Sequence, residues 1–327
     1  MERSPAISRI REYAMPADTR TEIVRFTSTE GAISIHGVIW WPQGKPRGVV
    51  QIVHGMAEHI MRYEPFALYL NERGFVVCGH DHIGHGLSVH DESDLGHIPV
   101  RGGREILVGD VGRMRAKMSE RVDKHLPYFL FGHSMGSFVV RAYISECGDL
   151  LTGAIICGTG HIPPATSAAG NALARIIAKA RGERYVSQAL GNLSIGAYAK
   201  AIKDRRTDLD WLSHSRENVN RYMADQGCGF PFTAGGNATV TSLTQQVCSK
   251  KCFERTPKDL PLLFIAGDGD PVGNMGKGVR IAAQMARNAG CTDVTCTIYE
   301  HMRHEILNEE DGQRVMSDVA AWMEERL

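Results

Sequence analysis

The feature that most constrains the fold is an alternation of short apolar segments with longer segments of helical periodicity. The first half of the chain contains apolar segments at residues 48–53, 75–78, 128–131 and 153–157, and helical stretches separate them. Strands that are buried on both faces form such continuous apolar runs, because helices cover the sheet on each side. The alternation therefore predicts an α/β fold with a mostly parallel, doubly wound sheet.

The N-terminal part departs from this pattern. Residues 21–27 and 33–41 alternate apolar and polar side chains on either side of a turn at 29–31. Alternation with a period of two around a short turn is typical of an antiparallel hairpin. We expect such a hairpin at one edge of the sheet.

The middle of the chain departs from it as well. Between the apolar segments 153–157 and 261–266, the sequence has helical character and many small, polar and aromatic residues. The strand and helix pattern then resumes to the end. We therefore predict a core formed by two parts of the chain, residues 1–158 and residues 253–327. A helical cap, residues 159–252, is inserted between these two parts.

Charge and composition exclude several classes of protein. The 37 Lys and Arg residues balance the 37 Asp and Glu residues, so the chain lacks the net positive charge with which proteins bind nucleic acid. No apolar segment approaches the ~18 residues of a membrane span, and residues 1–25 lack the apolar region of an export signal. The eight cysteines are scattered, which is typical of reduced thiols. We expect a cytoplasmic protein that acts on a small molecule, with at most transient membrane contact through the cap.

A serine motif follows one of the predicted strands. Residues 132–136 read Gly-His-Ser-Met-Gly, directly after the apolar segment 128–131 and before a helical stretch. Small glycines permit the sharp strand-to-helix turn that exposes a nucleophilic serine. We therefore predict that Ser134 is a nucleophile, the alternative being an ordinary helix N-cap.

A serine hydroxyl is a weak nucleophile near neutral pH, so it needs a histidine to accept its proton and a carboxylate to orient that histidine. In proteins with this motif the acid and then the histidine follow the serine along the chain. The acid candidates after the apolar segment 261–266 are Asp268 and Asp270, and the base candidates after the last strand are His301 and His304. Position alone leaves both pairs open, because Asp and His are also common in solvated loops.

Attack on a carbonyl creates an oxyanion, which two backbone N–H groups have to stabilise. One donor is the residue after the nucleophile, Met135, and the other comes from a loop after an earlier strand. Residues 54–57 follow the apolar segment 48–53, and Gly55 lets the backbone bend so that Met56 presents its N–H. We expect Met56 and Met135 to form the oxyanion hole.

Five motifs occur in the following order: HGMAEH at 54–59 with Arg62 and Tyr63, DHIGHGLS at 81–88, GHSMG at 132–136, DGDPV at 268–272 and RHEILN at 303–308. Together they closely resemble the monoacylglycerol lipase and lysophospholipase-like family of α/β-hydrolases. The resemblance covers the chain from about residue 22 to its end.

The resemblance implies the α/β-hydrolase fold and a serine hydrolase without metal or organic cofactor. It implies that the Asp before the Pro-Val pair, Asp270, is the acid and that the His before Glu-x-Leu-Asn, His304, is the base. The family's oxyanion donors correspond to Met56 and Met135. The substrate it implies is a carboxylic ester, such as a monoacylglycerol, a lysophospholipid or a smaller acyl ester, cleaved through an acyl-enzyme on Ser134.

The chain departs from the family's pattern at Ile83, where the family usually carries Arg. This loop supports the site, so the change leaves the predicted triad intact and bears only on the mouth of the site. Residues 210–213 and 228–233 look like the cap of the bacterial members. This cap is less amphipathic than a lid that docks on membranes, which does not favour a long-chain lipid as substrate.

A zinc hydrolase is a competing interpretation. Residues 80–85, His-Asp-His-Ile-Gly-His, resemble the H-x-H-x-D-H run of metallo-β-lactamase-type sites. Zinc needs three or four converging ligands, and Gly84 stands where that run has its carboxylate. We therefore expect no metal at this loop.

Two further functions stay open. An amide hydrolase or aminopeptidase can use the same triad, and it would need a cap carboxylate to bind a free amine. The candidates for that role are Glu183, Asp204, Asp208 and Asp225. A ligand receptor with this fold usually lacks one of the three catalytic residues. A candidate serine, acid and histidine are all present in this sequence.

Overall fold

A computed structural model describes residues 20–327. Residues 1–19, which hold most of the segment predicted to lack an export signal, lie outside the described part. Within it, eight strands form one sheet: β1 (Thr21–Thr27), β2 (Ser34–Trp40), β3 (Gly48–Val53), β4 (Phe75–His80), β5 (Tyr128–His133), β6 (Gly153–Cys157), β7 (Leu262–Gly267) and β8 (Val294–Tyr299).

The sheet has the strand order β1-β2-β4-β3-β5-β6-β7-β8. Strands β1 and β2 form an antiparallel hairpin, and β2 pairs antiparallel with β4. From β4 to β8 in this order, every neighbouring pair is parallel. The prediction of a mostly parallel sheet with a hairpin at one edge is thus confirmed.

Eleven α-helices lie in the described residues: α1 (Glu64–Asn71), α2 (Gly103–Ser119), α3 (Met135–Cys147), α4 (Pro164–Arg181), α5 (Gln188–Leu193), α6 (Ile195–Ala201), α7 (Arg216–Ala224), α8 (Ala234–Val247), α9 (Lys250–Arg255), α10 (Lys277–Asn288) and α11 (Gly312–Glu324). Helices α4 to α9 all lie between β6 and β7, and we call this segment the cap. Its predicted limits at 159 and 252 stay a prediction. None of the helices in residues 20–327 has the length and apolar character to cross a membrane.

One helix is shorter than the sequence periodicity suggests. The pattern extends from 105 to 125, but α2 ends at Ser119. The N–H groups of Arg121 and Val122 both donate to the carbonyl of Met118, at 2.9 and 3.1 Å. The helix ends in this tight turn, in which both N–H groups pair with one of the carbonyl groups that a helix end leaves without a partner.

Two apolar cores lie on opposite faces of the sheet. Along β3, Val49 and Val53 pack into one core while Val50 and Ile52 pack into the other. Residues of α2, α3 and α10 belong to the first core, and residues of α1 and α11 belong to the second. Burial on both faces explains why these strands are continuously apolar in the sequence.

The parallel strands place their carboxyl ends at the same edge of the sheet. Loops at this edge follow β3, β5, β7 and β8, and they carry Met56, Ser134, Asp270 and His304, respectively. In open α/β sheets this edge is where ligands bind. Residues that are far apart in the sequence therefore meet there.

Candidate active site

Ser134 lies in a strained turn between β5 and α3. Its φ of 54° and ψ of −120° are unfavourable for a residue with a side chain and cost roughly 1–3 kcal/mol. The turn exists because the flanking residues are glycines. A Cβ atom on Gly132 would lie 2.5 Å from the carbonyl oxygen of Gly136, and one on Gly136 would lie 2.0 Å from that of Val53. Bulkier residues would force β3, β5 and α3 apart.

The structure distinguishes between the two candidate acids and between the two candidate bases. Nδ1 of His304 lies 3.0 Å from Oδ2 of Asp270, and both side chains are buried. The other carboxylate oxygen of Asp270 accepts the N–H of Val272 at 2.8 Å. Asp268 and His301, the other two candidates, are exposed instead. The structure therefore pairs Asp270 with His304.

The ring of His304 lies between two other rings. Its centroid is 5.0 Å from that of Trp211 in the cap and 4.7 Å from that of His133 in β5. Nδ1 faces the carboxylate of Asp270, which leaves Nε2 as the nitrogen that can exchange a proton with a serine. The sequence did not indicate that a cap tryptophan packs against the histidine.

Ser134 and His304 line the same cavity, which has a volume of about 100 Å³. Met56, Met135, Gly55, Glu58, His133 and Glu305 also line it. The rest of its wall is mainly apolar or aromatic: Phe138, Ile195, Tyr198, Leu209, Trp211, Leu212, Tyr222, Val240 and Val272. The cavity thus has a polar side next to the serine and an apolar side formed largely by the cap.

The two predicted oxyanion donors flank the serine. Met135 is the first residue of α3, where backbone N–H groups have no partner within the helix and carry partial positive charge. Met56 lies in residues 54–58, which we call the oxyanion loop. A Cβ atom on Gly55 would lie 3.0 Å from Cβ of Ser134, so a glycine is required for the loop to approach the serine this closely.

The oxyanion loop is held from two sides at Ala57, which has a φ of 53°. Its N–H donates to Nε2 of His85 at 3.3 Å. Its carbonyl accepts from the hydroxyl of Tyr222 at 2.7 Å and from the N–H of Gly229 at 2.9 Å. Both donors belong to the cap, so the conformation of this loop depends on the cap as well as on the core.

The histidines at 80–85 have a backbone role that sequence reasoning missed. His85 donates from Nδ1 to the carbonyl of Ile83 and accepts at Nε2 from Ala57, and the N–H of His82 donates to Nε2 of His54 at 3.0 Å. Burial lowers the pKa of His80 and of His85 to about 3, so these rings are neutral. Within residues 20–327 they do not belong to any set of three side chains with metal-binding atoms close together.

A buried ion network lies under the cavity. Arg62 donates to Glu58 at 2.7 Å and, with both terminal nitrogens, to Glu305 at 2.7 and 2.8 Å. Asn218 of the cap also donates to Glu305, at 2.7 Å. Burial alone would raise the pKa of Glu305, but the charge and hydrogen bonds of Arg62 lower it. The network connects the oxyanion loop, the residue after His304 and the cap.

His133 completes the network. Nδ1 lies 3.3 Å from Oε1 of Glu58 and Nε2 lies 3.2 Å from the carbonyl oxygen of His304. Both partners are acceptors, so both ring nitrogens need a proton. Burial by itself would lower the pKa of His133, but Glu58 raises it above its ordinary value. Burial by itself would raise the pKa of Glu58. The hydrogen bond from His133 and the charge of Arg62 outweigh this effect and hold the pKa of Glu58 well below its ordinary value.

Only weak signs of this network are visible in the sequence. Glu58 and Arg62 are four residues apart, a spacing that allows a local ion pair, and Glu305 adjoins the base candidate. Nothing in the sequence indicates that one arginine bridges both carboxylates, since they are 247 positions apart along the chain (305 − 58).

We expect Arg62→Met to lower the free energy of unfolding by about 3–5 kcal/mol, because it leaves two buried carboxylates without a counter-charge. The matched control is Arg47→Met, which removes an exposed arginine that lies 3.7 Å from Glu324. Exposed pairs contribute at most about 1 kcal/mol. Urea denaturation measures both, and equal effects of the two substitutions would contradict the role of the network.

The raised pKa of His133 predicts a pH dependence. The stabilisation by its charged form is complete below the ordinary histidine pKa of about 6.5 and is lost as the pH rises through the higher pKa of the folded state. The difference in unfolding free energy between the wild type and His133→Gln should therefore shrink as the pH rises above the ordinary histidine pKa of about 6.5. Denaturation at a series of pH values tests this, and a difference that grows with pH would show that His133 is neutral.

Comparisons with known proteins identify the family. Residues 44–311 match the family model described as serine aminopeptidase, S33. A monoacylglycerol lipase of Mycolicibacterium smegmatis is 28% identical over 302 residues, which are 90% of this chain and 94% of that protein. The human monoglyceride lipase is 26% identical over 298 residues, which are 88% of this chain and 86% of that protein.

A solved structure is also similar over nearly its whole length. The crystal structure of a highly thermostable carboxyl esterase from Bacillus coagulans superimposes with a TM-score of 0.86 at 28% identity, covering 94% of this chain and 99% of that chain. The sheet order, the strained serine and the matched residues 44–311 all agree with the motifs in the sequence. The chain therefore belongs to the serine aminopeptidase S33 family and has the α/β-hydrolase fold, which confirms its resemblance to the monoacylglycerol lipases.

Proposed function

We propose that the protein is a serine hydrolase that cleaves a carboxylic ester, with Ser134, Asp270 and His304 as its catalytic triad. One observation carries the proposal. A buried histidine, oriented by a buried aspartate at 3.0 Å, shares a cavity with a serine held in a strained strand-to-helix turn. This is the arrangement that serine hydrolases use, whatever their fold.

The reaction follows from these positions. Oγ of Ser134 adds to the carbonyl carbon while His304 accepts the hydroxyl proton, and Asp270 stabilises the imidazolium that forms. The N–H groups of Met56 and Met135 donate to the oxyanion, and each such donor typically lowers the barrier by about 3–4 kcal/mol. His304 then gives its proton to the leaving alcohol. Water repeats the addition on the acyl-enzyme and releases the acid.

The cavity supports an acyl ester as substrate. Its apolar side suits an acyl chain, and its polar side suits an alcohol that forms hydrogen bonds, such as glycerol. The similar proteins named above include two lipases of monoacylglycerol type and an esterase in complex with glycerol. We therefore propose a monoacylglycerol or a smaller acyl ester, among the esters that the sequence suggests.

The size of the cavity favours short and medium acyl chains. Its volume of about 100 Å³ is below the ~300–1,000 Å³ of typical ligand pockets. Cap residues such as Trp211, Leu212 and Tyr222 form much of the wall. A long acyl chain would therefore require the cap to move. We propose that residues 159–252 form this cap as an insertion in the core.

The candidate carboxylates for an aminopeptidase do not support that alternative. Glu183 accepts from the N–H of Val100, Asp208 pairs with Arg205, Asp204 with Arg303 and Asp225 with His59. The acids that line the cavity in the described residues are Glu58 and Glu305, and both bind Arg62. No carboxylate there is left to bind a free amine, which favours an ester over an amino-terminal amide.

We also propose that the protein acts in the cytoplasm. All eight cysteines are free thiols in the structure, as in proteins of reducing compartments. Any membrane contact would be transient and would use the large apolar side chains that the cap exposes, which are Leu173, Ile176, Val186, Leu193 and Met223.

The first test is turnover of p-nitrophenyl esters with acyl chains of about two to sixteen carbons. We expect the highest kcat/KM for short or medium chains because the cavity is small. Ser134→Ala should lower kcat by at least about 10³-fold, whereas Ser145→Ala, in the helix that follows Ser134 but outside the cavity wall, should have little effect. Turnover of aminoacyl p-nitroanilides but not of esters would favour the amide hydrolase, and retained activity in Ser134→Ala would contradict the mechanism.

A second test distinguishes the two candidate acids, Asp268 and Asp270, and the two candidate bases, His301 and His304. Asp270→Asn and His304→Gln should each lower kcat by about 10³-fold or more, because the base is lost or held in the wrong tautomer. The matched substitutions Asp268→Asn and His301→Gln, at exposed residues, should leave kcat within about twofold. Steady-state kinetics on one short ester measures all four. A large loss only at Asp268 or His301 would mean that the triad is assigned to the wrong residues.

A further inference from the structure

A histidine, an aspartate and a cysteine meet where the cap contacts the core. His59 follows the oxyanion loop, and Asp225 and Cys228 follow α7. Their metal-binding atoms all lie within 4.8 Å of one another. Within residues 20–327 no other group of three or more His, Cys, Asp or Glu side chains brings its donor atoms together in this way. None of the three lines the cavity of the candidate active site.

We propose that His59, Asp225 and Cys228 bind a divalent cation of zinc type, which fastens the cap to the oxyanion loop. This site is separate from the triad, and its occupancy does not depend on the proposed ester hydrolysis.

The donor set suits zinc. Imidazole nitrogen, thiolate sulfur and carboxylate oxygen are the ligands that zinc binds in proteins. A thiolate and a carboxylate together carry two negative charges, so a bound Zn²⁺ gives a neutral site in a largely buried position. Binding releases the thiol proton of Cys228 to solvent and displaces the proton from Nε2 of His59, so that the ring coordinates as a neutral imidazole.

The pair formed by His59 and Asp225 requires only a small adjustment to bind an ion. Nε2 of His59 and Oδ2 of Asp225 are 2.8 Å apart, a distance at which they share a proton. Two ligand atoms at ~2.0–2.1 Å from a tetrahedral zinc ion are about 3.3 Å apart. The pair therefore has to open by roughly half an ångström for the ion to replace the proton. Side-chain rotation is sufficient for a change of this size.

The surroundings provide orientation and access. The N–H of Gly227 donates to Oδ1 of Asp225 at 2.8 Å, which leaves Oδ2 directed at His59. A Cβ atom on Gly227 would lie 2.9 Å from the ring of His59, so the glycine permits the close approach. A surface groove lined by His59, Arg62 and Asp225 reaches the pair and offers a route for the ion and a place for water as fourth ligand. The positive charge of Arg62 is already balanced by Glu58 and Glu305.

The site would act on the oxyanion loop through short connections. Residues 225–229 of the cap carry both Asp225 and Cys228, and the N–H of Gly229 donates to the carbonyl of Ala57 at 2.9 Å. His59 is two residues beyond Ala57. An ion held by all three side chains therefore links the cap to the segment that positions Met56, and we expect it to make separation of cap and core harder.

Cobalt binding to the tag-free, chelator-treated chain tests the proposal. We expect Co²⁺ to bind at about one equivalent per chain, with a thiolate-to-cobalt charge-transfer band and the visible bands of a four-coordinate ion, and Zn²⁺ to displace it. Zn²⁺ should also raise the thermal unfolding midpoint, because it binds the folded state. Cys228→Ser, His59→Gln and Asp225→Asn should each weaken binding by at least about 100-fold.

Cys296→Ser is the matched control, since Cys296 is a half-buried free thiol in β8. It should keep the cobalt spectrum and the thermal shift of the wild type. Circular dichroism identifies any variant that does not fold. If one ligand variant is excluded in this way, cobalt binding to the other two ligand variants tests the proposal. Absence of the charge-transfer band in the wild type, or its retention in Cys228→Ser, would overturn the proposal. These readouts involve no turnover, so they are independent of the outcome of the ester assays.

Discussion

The contact between Arg62 and two buried carboxylates is the interaction on which the arrangement of the site depends. Glu58 belongs to the oxyanion loop, Glu305 follows the proposed base, and Arg62 binds both at 2.7 Å. In this network the positive charge of Arg62 lies between two negative carboxylates, and the ring of His133 hydrogen-bonds to one of them, Glu58. Any displacement of one loop would leave a charge unpaired at low dielectric, which costs several kcal/mol. The network therefore restricts the distance between the proposed oxyanion donors and the proposed base.

The strained turn at Ser134 is the second constraint, and its cost is offset by the packing around it. The N–H of Ser134 donates to the carbonyl of Cys157 in β6 at 3.0 Å, and the close approach of Gly136 to Val53 locks the start of α3 onto the sheet. The serine is thereby held at the N-terminus of a helix, next to Met135. A nucleophile in a fixed position next to fixed N–H dipoles needs little reorganisation during the reaction.

The cap is part of the site as well as its cover. Trp211 packs on the ring of His304, Asn218 bonds Glu305, and Tyr222 bonds the oxyanion loop at Ala57. A cap that moves to admit a larger acyl chain would have to break some of these contacts. The size of the cavity and the geometry of the proposed triad are therefore coupled through the same few side chains, and a cation at His59, Asp225 and Cys228 would add to that coupling.

The sequence alone determined the α/β architecture, the antiparallel hairpin at one edge and the place of Ser134, because periodicity and the glycine motif act over short stretches of chain. Position along the chain left Asp268 or Asp270 as the candidate acid and His301 or His304 as the candidate base, and the family resemblance pointed to Asp270 and His304. Only the tertiary structure shows Asp270 beside His304 and leaves Asp268 and His301 exposed, since these positions depend on how the two loops after β7 and β8 lie in space. The bridge from Glu58 through Arg62 to Glu305 was likewise beyond sequence reasoning. The physical reason is that such contacts join residues far apart in the chain, and no local pattern records which distant charges will be buried together.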